Sequence, residues 1–166
     1  MPAAAFLQES DLPAAYQYGG DFWPGDTTFN GCTIGGRSTP LPASLTEAVP
    51  FAGHGTHFRA EGSSPGQSRF VAEWVGRYAA ADAASYIDWV REVVAYCGGG
   101  WAIAAESFAG DASLIIYHTD PARFTYIFVR VGPLVAQILY EAVDSTDPAV
   151  IGRRAAARLC AGTTAC

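Results

Sequence analysis

Four cysteines, Cys32, Cys97, Cys160 and Cys166, constrain this 166-residue chain more than any other feature. An even set of four admits three pairings. No C-x-x-C spacing occurs, so the set lacks the signature of a structural zinc site. Cys97 closes the most regular helical pattern in the chain, and Cys32 follows the turn-rich Phe29-Asn30-Gly31. Cys160 and Cys166 flank Ala161-Gly162-Thr163-Thr164-Ala165, a segment flexible enough to bend back on itself. These placements favour Cys32–Cys97 and Cys160–Cys166. On chain entropy alone the long loop contributes about 4 kcal/mol and the short one about 2 kcal/mol. The competing arrangement is four reduced, buried thiols in a reducing compartment. A cysteine pair clipping a chain end serves little purpose there. The expectation is therefore an exported protein with two disulfides, any leader or anchor having been removed.

Charge narrows the partners. The net charge is −6, and all ten basic residues are arginine. An acidic chain without a basic run lacks the footprint that neutralises phosphates, which disfavours nucleic acid and anionic membrane surfaces. No apolar stretch approaches the ~20 residues of a membrane helix, so no membrane span is expected. Half of the residues are apolar and only 16% are charged. Such a chain buries much of its apolar surface or presents some of it to a partner.

Residues 1–66 hold seven of the ten prolines, a density that predicts turns and short helical pieces. Ser10-Asp11-Leu12-Pro13 and Ser44-Leu45-Thr46-Glu47 each begin like a capped helical turn. The remainder, residues 67–166, is far more regular. Ser68 to Tyr78 alternates as a strand does. Tyr86, Trp89, Val90, Val93 and Cys97 then recur at helical steps, with Asp82 suited to the N-cap and Gly98-Gly99-Gly100 as the stop. Four strands are predicted next, over Trp101–Phe108, Ser113–His118, Phe124–Val131 and Leu134–Tyr140. Short connections favour antiparallel pairing, with Gly132-Pro133 as a tight hairpin. Asp147 caps a last helix with Pro148 at its first position. One α+β domain over residues 1–166 follows. It comprises an antiparallel sheet of about five or more strands with helices packed on one face.

These features resemble an actinobacterial exported sensor-domain family, which includes the extracellular domain of mycobacterial PknH-type receptor kinases and related lipoproteins. The resemblance rests on Phe6-Leu7-Gln8 followed by Asp11-Leu12-Pro13, the early Cys32, and Ala83-Ala84-Ser85-Tyr86-Ile87 running into Cys97. Val129-Arg130-Val131-Gly132 and the closing Ala- and Arg-rich helix complete it. It implies an extracytoplasmic, disulfide-bonded α+β domain with a cleft that receives a ligand. The chain carries no kinase segment.

Catalytic patterns are weaker. Gly62-Ser63-Ser64-Pro65-Gly66 satisfies G-x-S-x-G, but Pro65 lacks the N–H that an oxyanion hole needs after the nucleophile. His54 and His57, with His118 as a third ligand, invite a metal reading. Their spacing puts the first two on opposite faces of a strand, and no metal or other cofactor is expected. Glu61, Glu73, Glu106 and Asp111 are candidate acids, with Glu73 and Glu106 able to face each other across a sheet. The better functional hint is aromatic. Tyr16, Tyr18, Phe22 and Trp23 crowd one loop-like stretch between glycines and prolines, where binding residues concentrate. With His57, they are the candidate ligand-binding residues, for a small molecule or a cell-envelope component. The expectation is a non-catalytic ligand-binding or sensor-like domain. The alternatives are a small secreted or pathway enzyme with a His/carboxylate site in a sheet-walled cleft, and an interaction or inhibitor domain with a flat aromatic patch.

Overall fold

A computed structural model describes residues 1–22, 32–34, 37–39, 41–45, 47–61, 68–98, 100–118, 125–141 and 144–166, with backbone alone for Phe22, 32–34, 37–39, Glu61 and Ser68. Nine strands and two α-helices are described. In chain order they are β1 (Gln17–Phe22), β2 (Cys32–Ile34), β3 (Arg37–Thr39), β4 (Ala52–Glu61), β5 (Ser68–Arg77), α1 (Ala80–Cys97), β6 (Trp101–Glu106), β7 (Ala112–His118), β8 (Thr125–Val131), β9 (Leu134–Tyr140) and α2 (Pro148–Gly162). Seven strands form one sheet in the order β1-β4-β5-β9-β8-β7-β6, while β2 and β3 make a separate hairpin. Every pair in the sheet is antiparallel. The chain runs up β4 and down β5, crosses through α1 to the far edge, and meanders back until β9 lies against β5.

The two helices lie on opposite faces of this sheet, not on one face as the sequence suggested. Ile127, Val129 and Val131 of β8 and Leu134, Ala136 and Ile138 of β9 pack with Ile151, Ala155 and Leu159 of α2. The intervening Phe128 and Val135 pack instead with Tyr86, Ile87, Val90 and Val93 of α1. Alternate strand residues thus serve two cores, because side chains along a strand point to opposite sides. All seven residues of β9 are buried in consequence. A strand covered on both sides reads as a near-continuous apolar run, and Leu134–Tyr140 is such a run apart from the buried Gln137. Full burial of each Val, Leu or Ile contributes about 1.5–3 kcal/mol.

Local signals fix the ends. Asp147 accepts a hydrogen bond from the Ala149 amide at 2.9 Å, and Pro148 opens α2. Gly98, with φ of 65°, stops α1. The N-cap of α1 is Ala79 rather than Asp82, which sits in the first turn and favours the helix dipole there. The early Ser10-Asp11 turn is a 3-10 turn capped by reciprocal bonds between Gln8 and Asp11. Residues 1–66 are also less irregular than their prolines imply, since β1 and the ten-residue β4 belong to the sheet.

One disulfide is described, Cys160–Cys166, with Cα atoms 5.1 Å apart. It folds the end of α2 back so that Ala165 packs on the main core. The expected Cys32–Cys97 bridge falls on Cys32, whose side chain lies outside the described residues. Strand β2, which carries Cys32, touches α1. No helix among the described residues is long and apolar enough to cross a membrane.

Candidate functional site

A cavity of about 810 Å³ opens where the N-terminal segment crosses the β1–β4 end of the sheet, on the α2 side. Each wall has an identifiable local cause. On β4, residues of even number face α2: His54, Thr56 and Phe58 all line the cavity, and Phe58 continues into the core beneath. On β1, Tyr18 pairs with Phe58 and Asp21 with Thr56. Residues three apart on a regular strand would face opposite ways. The register shifts between Tyr18 and Gly20, leaving Gly19 as the extra residue of a bulge. Gly20 supports this with a φ of 126°, a conformation that L side chains rarely adopt. The bulge turns Tyr18 and Asp21 to the same side.

There the three polar side chains join. The Tyr18 hydroxyl donates to Asp21 Oδ1 at 2.6 Å, and His54 Nε2 lies 3.3 Å from Asp21 Oδ2. The Tyr18 hydroxyl holds the Asp21 carboxyl below its ordinary pKa, with His54 contributing. Tyr18 itself is raised by the same bond. Aromatic surface surrounds them: the His54 ring meets Phe6 edge-on at 5.3 Å, and Tyr18 meets Phe58 at 5.9 Å.

The N-terminal segment forms the opposite wall and is tied down at several points. Arg158 of α2 grips Asp11 with two hydrogen bonds, at 2.7 and 3.2 Å, and Arg154 donates to the Asp11 carbonyl. Gly162 lies so close to Ala4 and Ala5 that no Cβ fits. Glu9 Oε1 accepts from the Tyr18 amide at 2.6 Å, closing the segment onto β1. The Leu7 amide donates to Glu73 Oε2 at 2.7 Å. Glu73 of β5 is wholly buried, and burial pushes its carboxyl up to about 8 despite the Leu7 bond. It stands directly across from Thr56. Glu73 Oε1 and Thr56 Oγ1 are both buried without a hydrogen-bond partner, although buried polar atoms in native proteins are nearly always partnered.

The sequence-predicted ligand residues are dispersed. Tyr18 lines the cavity and is 53% exposed. Tyr16 is a core residue, 2% exposed, whose hydroxyl donates to the Glu141 carbonyl. Its role is to pin the chain before β1. His57 faces the α1 side, where its ring covers Gly19. His54 and His57 therefore sit on opposite faces of β4, and His118 lies on β7 beside Trp101. The side chain of Phe22 and all of Trp23 lie outside the described residues, as do the Gly62–Gly66 motif and the side chain of Glu61. Glu73 and Glu106 do not face each other, since β9, β8 and β7 stand between their strands. Glu106 pairs with Arg91 of α1 at 3.0 Å, and Asp111 pairs with Arg130. Asp21 was missed altogether, although Gly19-Gly20 beside an aromatic alternation is the signal of a bulge.

No protein-family model, curated protein or solved structure matches the chain.

Proposed function

We propose that this protein is an extracytoplasmic domain that binds a small ligand in the cavity between its N-terminal segment and the β1–β4 end of the sheet. One observation carries the reading. Thr56, only 7% exposed, lines an open cavity, and its buried hydroxyl has no hydrogen-bond partner. A concave site with apolar walls and a few converging polar groups is the usual form of a ligand pocket. Asp21, His54 and Tyr18 supply those groups, while Phe6 and Phe58 supply the walls. Export is supported by the Cys160–Cys166 disulfide, since such bonds persist in oxidising compartments. A second bridge, Cys32–Cys97, and kinship with the exported sensor family belong to the same proposal.

The test is a fragment screen by protein-observed NMR. Hits are expected to shift the resonances of Phe6, Tyr18, His54 and Thr56 together. Ser10→Trp, at an exposed position on the rim, is expected to abolish those shifts without altering the fold. A screen in which no fragment of any charge moves these resonances removes the reading.

The His54–Asp21 contact favours a second reading, a hydrolase in which Asp21 orients His54 as general base. Among the described residues no hydroxyl or thiol hydrogen-bonds His54, so the attacking group would be water. Ester turnover that disappears in His54→Ala would establish this reading over simple binding.

A further inference from the structure

We propose that the cavity takes a primary ammonium compound with an aromatic or similarly flat apolar tail. This inference rests on the ligand-binding reading above and names the class of ligand. Two carboxylates of the lining keep lone pairs beyond the hydrogen bonds they already accept. Asp21 is a carboxylate, and its hydrogen bond from Tyr18 keeps it charged. Glu9 adds a second carboxylate to the lining, joined to Asp21 through Tyr18, whose amide serves one acid and whose hydroxyl serves the other. Thr56, whose buried hydroxyl has no partner, lines the same cavity.

Among the described residues no arginine lines the cavity, and the chain has no lysine. An anionic ligand would therefore meet two carboxylates, with Met1 and His54 as the basic residues of the described lining. An ammonium group instead brings three N–H donors and the opposite charge. Charge-assisted bonds of that kind are the strong ones. The rings complete the match. Tyr18, 53% exposed, presents its ring within the same space, bordered by the buried Phe6 and Phe58, and its electron-rich face attracts a cation while its area covers an apolar tail.

The experiment compares three soluble probes of one shape, phenethylammonium, phenethyl alcohol and phenylpropionate, by calorimetric titration at fixed ionic strength. The ammonium is expected to bind about tenfold or more tightly than the alcohol, and the anion weakest of all. Asp21→Asn should lose about tenfold in affinity for the ammonium and leave the alcohol unchanged. Glu9→Gln provides the same comparison where Asp21→Asn fails to give the native far-UV spectrum. Equal binding of ammonium and alcohol, or an Asp21→Asn protein that still prefers the ammonium, overturns the cation assignment while leaving the cavity a binding site. Silence from all three probes, against hits in the wider fragment screen, also overturns it. Silence from probes and screen alike removes both readings.

Discussion

Glu73 makes stability depend on pH in a direction opposite to that of most carboxylates. Its side chain is wholly buried, and desolvation is the largest cause of its rise from 4.5 to about 8, with the Leu7 amide and Arg158 opposing. In the unfolded chain the carboxyl ionises near its ordinary value. Between about 4.5 and 8 the native protein therefore holds a proton that the unfolded chain has released, and stability must fall with rising pH across that window. The loss runs at about 1.4 kcal/mol per pH unit, a total of about 5 kcal/mol across the window. Domains of this kind have only about 5–15 kcal/mol to lose. The contribution is complete below the window and gone above it.

Glu73→Gln isolates the effect. The amide oxygen still accepts from Leu7, but nothing titrates. Urea unfolding followed by tryptophan fluorescence, from about pH 5 to 9, should show the wild type losing about 4 kcal/mol relative to the variant. The N-terminal segment should loosen first, since Leu7 bonds directly to this carboxylate. Parallel pH profiles for the two proteins would refute the reasoning, because no buried acid would then be changing its charge.

Three further substitutions test separate parts of the fold. Replacing both Cys160 and Cys166 by serine should cost about 2 kcal/mol, seen as a fall in Tm of several degrees that reductant reproduces in the wild type. Gly20→Ala forces a side chain onto a φ of 126° and should cost about 1–3 kcal/mol, with the Tyr18 and Asp21 resonances the most displaced. Gly152→Ala pushes a methyl group into Phe108 and Ile127 and should cost about 1–3 kcal/mol by overpacking. Its cavity resonances should stay in place.

The sequence was legible where one signal governed a segment. Asp147-Pro148 marks the start of α2, and Gly132-Pro133 sits between β8 and β9, both by local chemistry alone. It was less legible where two signals competed. Glycines around His54 mask the even-numbered face of β4, so a ten-residue strand resembled loop. The apolar run of β9, interrupted only by Gln137, is compatible with burial on both faces and equally with a single face and a short strand. The polar constellation was hidden for a geometric reason. Tyr18 and Asp21 share a side only because one glycine drops out of register, and no periodicity reports such a shift. Glu73 carries no mark in the sequence either, since its burial depends on the segment around Leu7 folding across it.

The strand order also dictates a sequence of assembly. Strand β5 joins the cavity-bearing β1–β4 edge to the rest of the sheet, and its other neighbour, β9, is the final strand of the chain. A nascent chain leaving the ribosome would hold β1, β4 and β5 apart from the rest of the sheet until residue 140 emerges. Arg158, which grips the N-terminal wall, comes later still. Long-range pairing of this kind folds slowly and leaves strand edges open meanwhile. The cavity is encoded first and completed last.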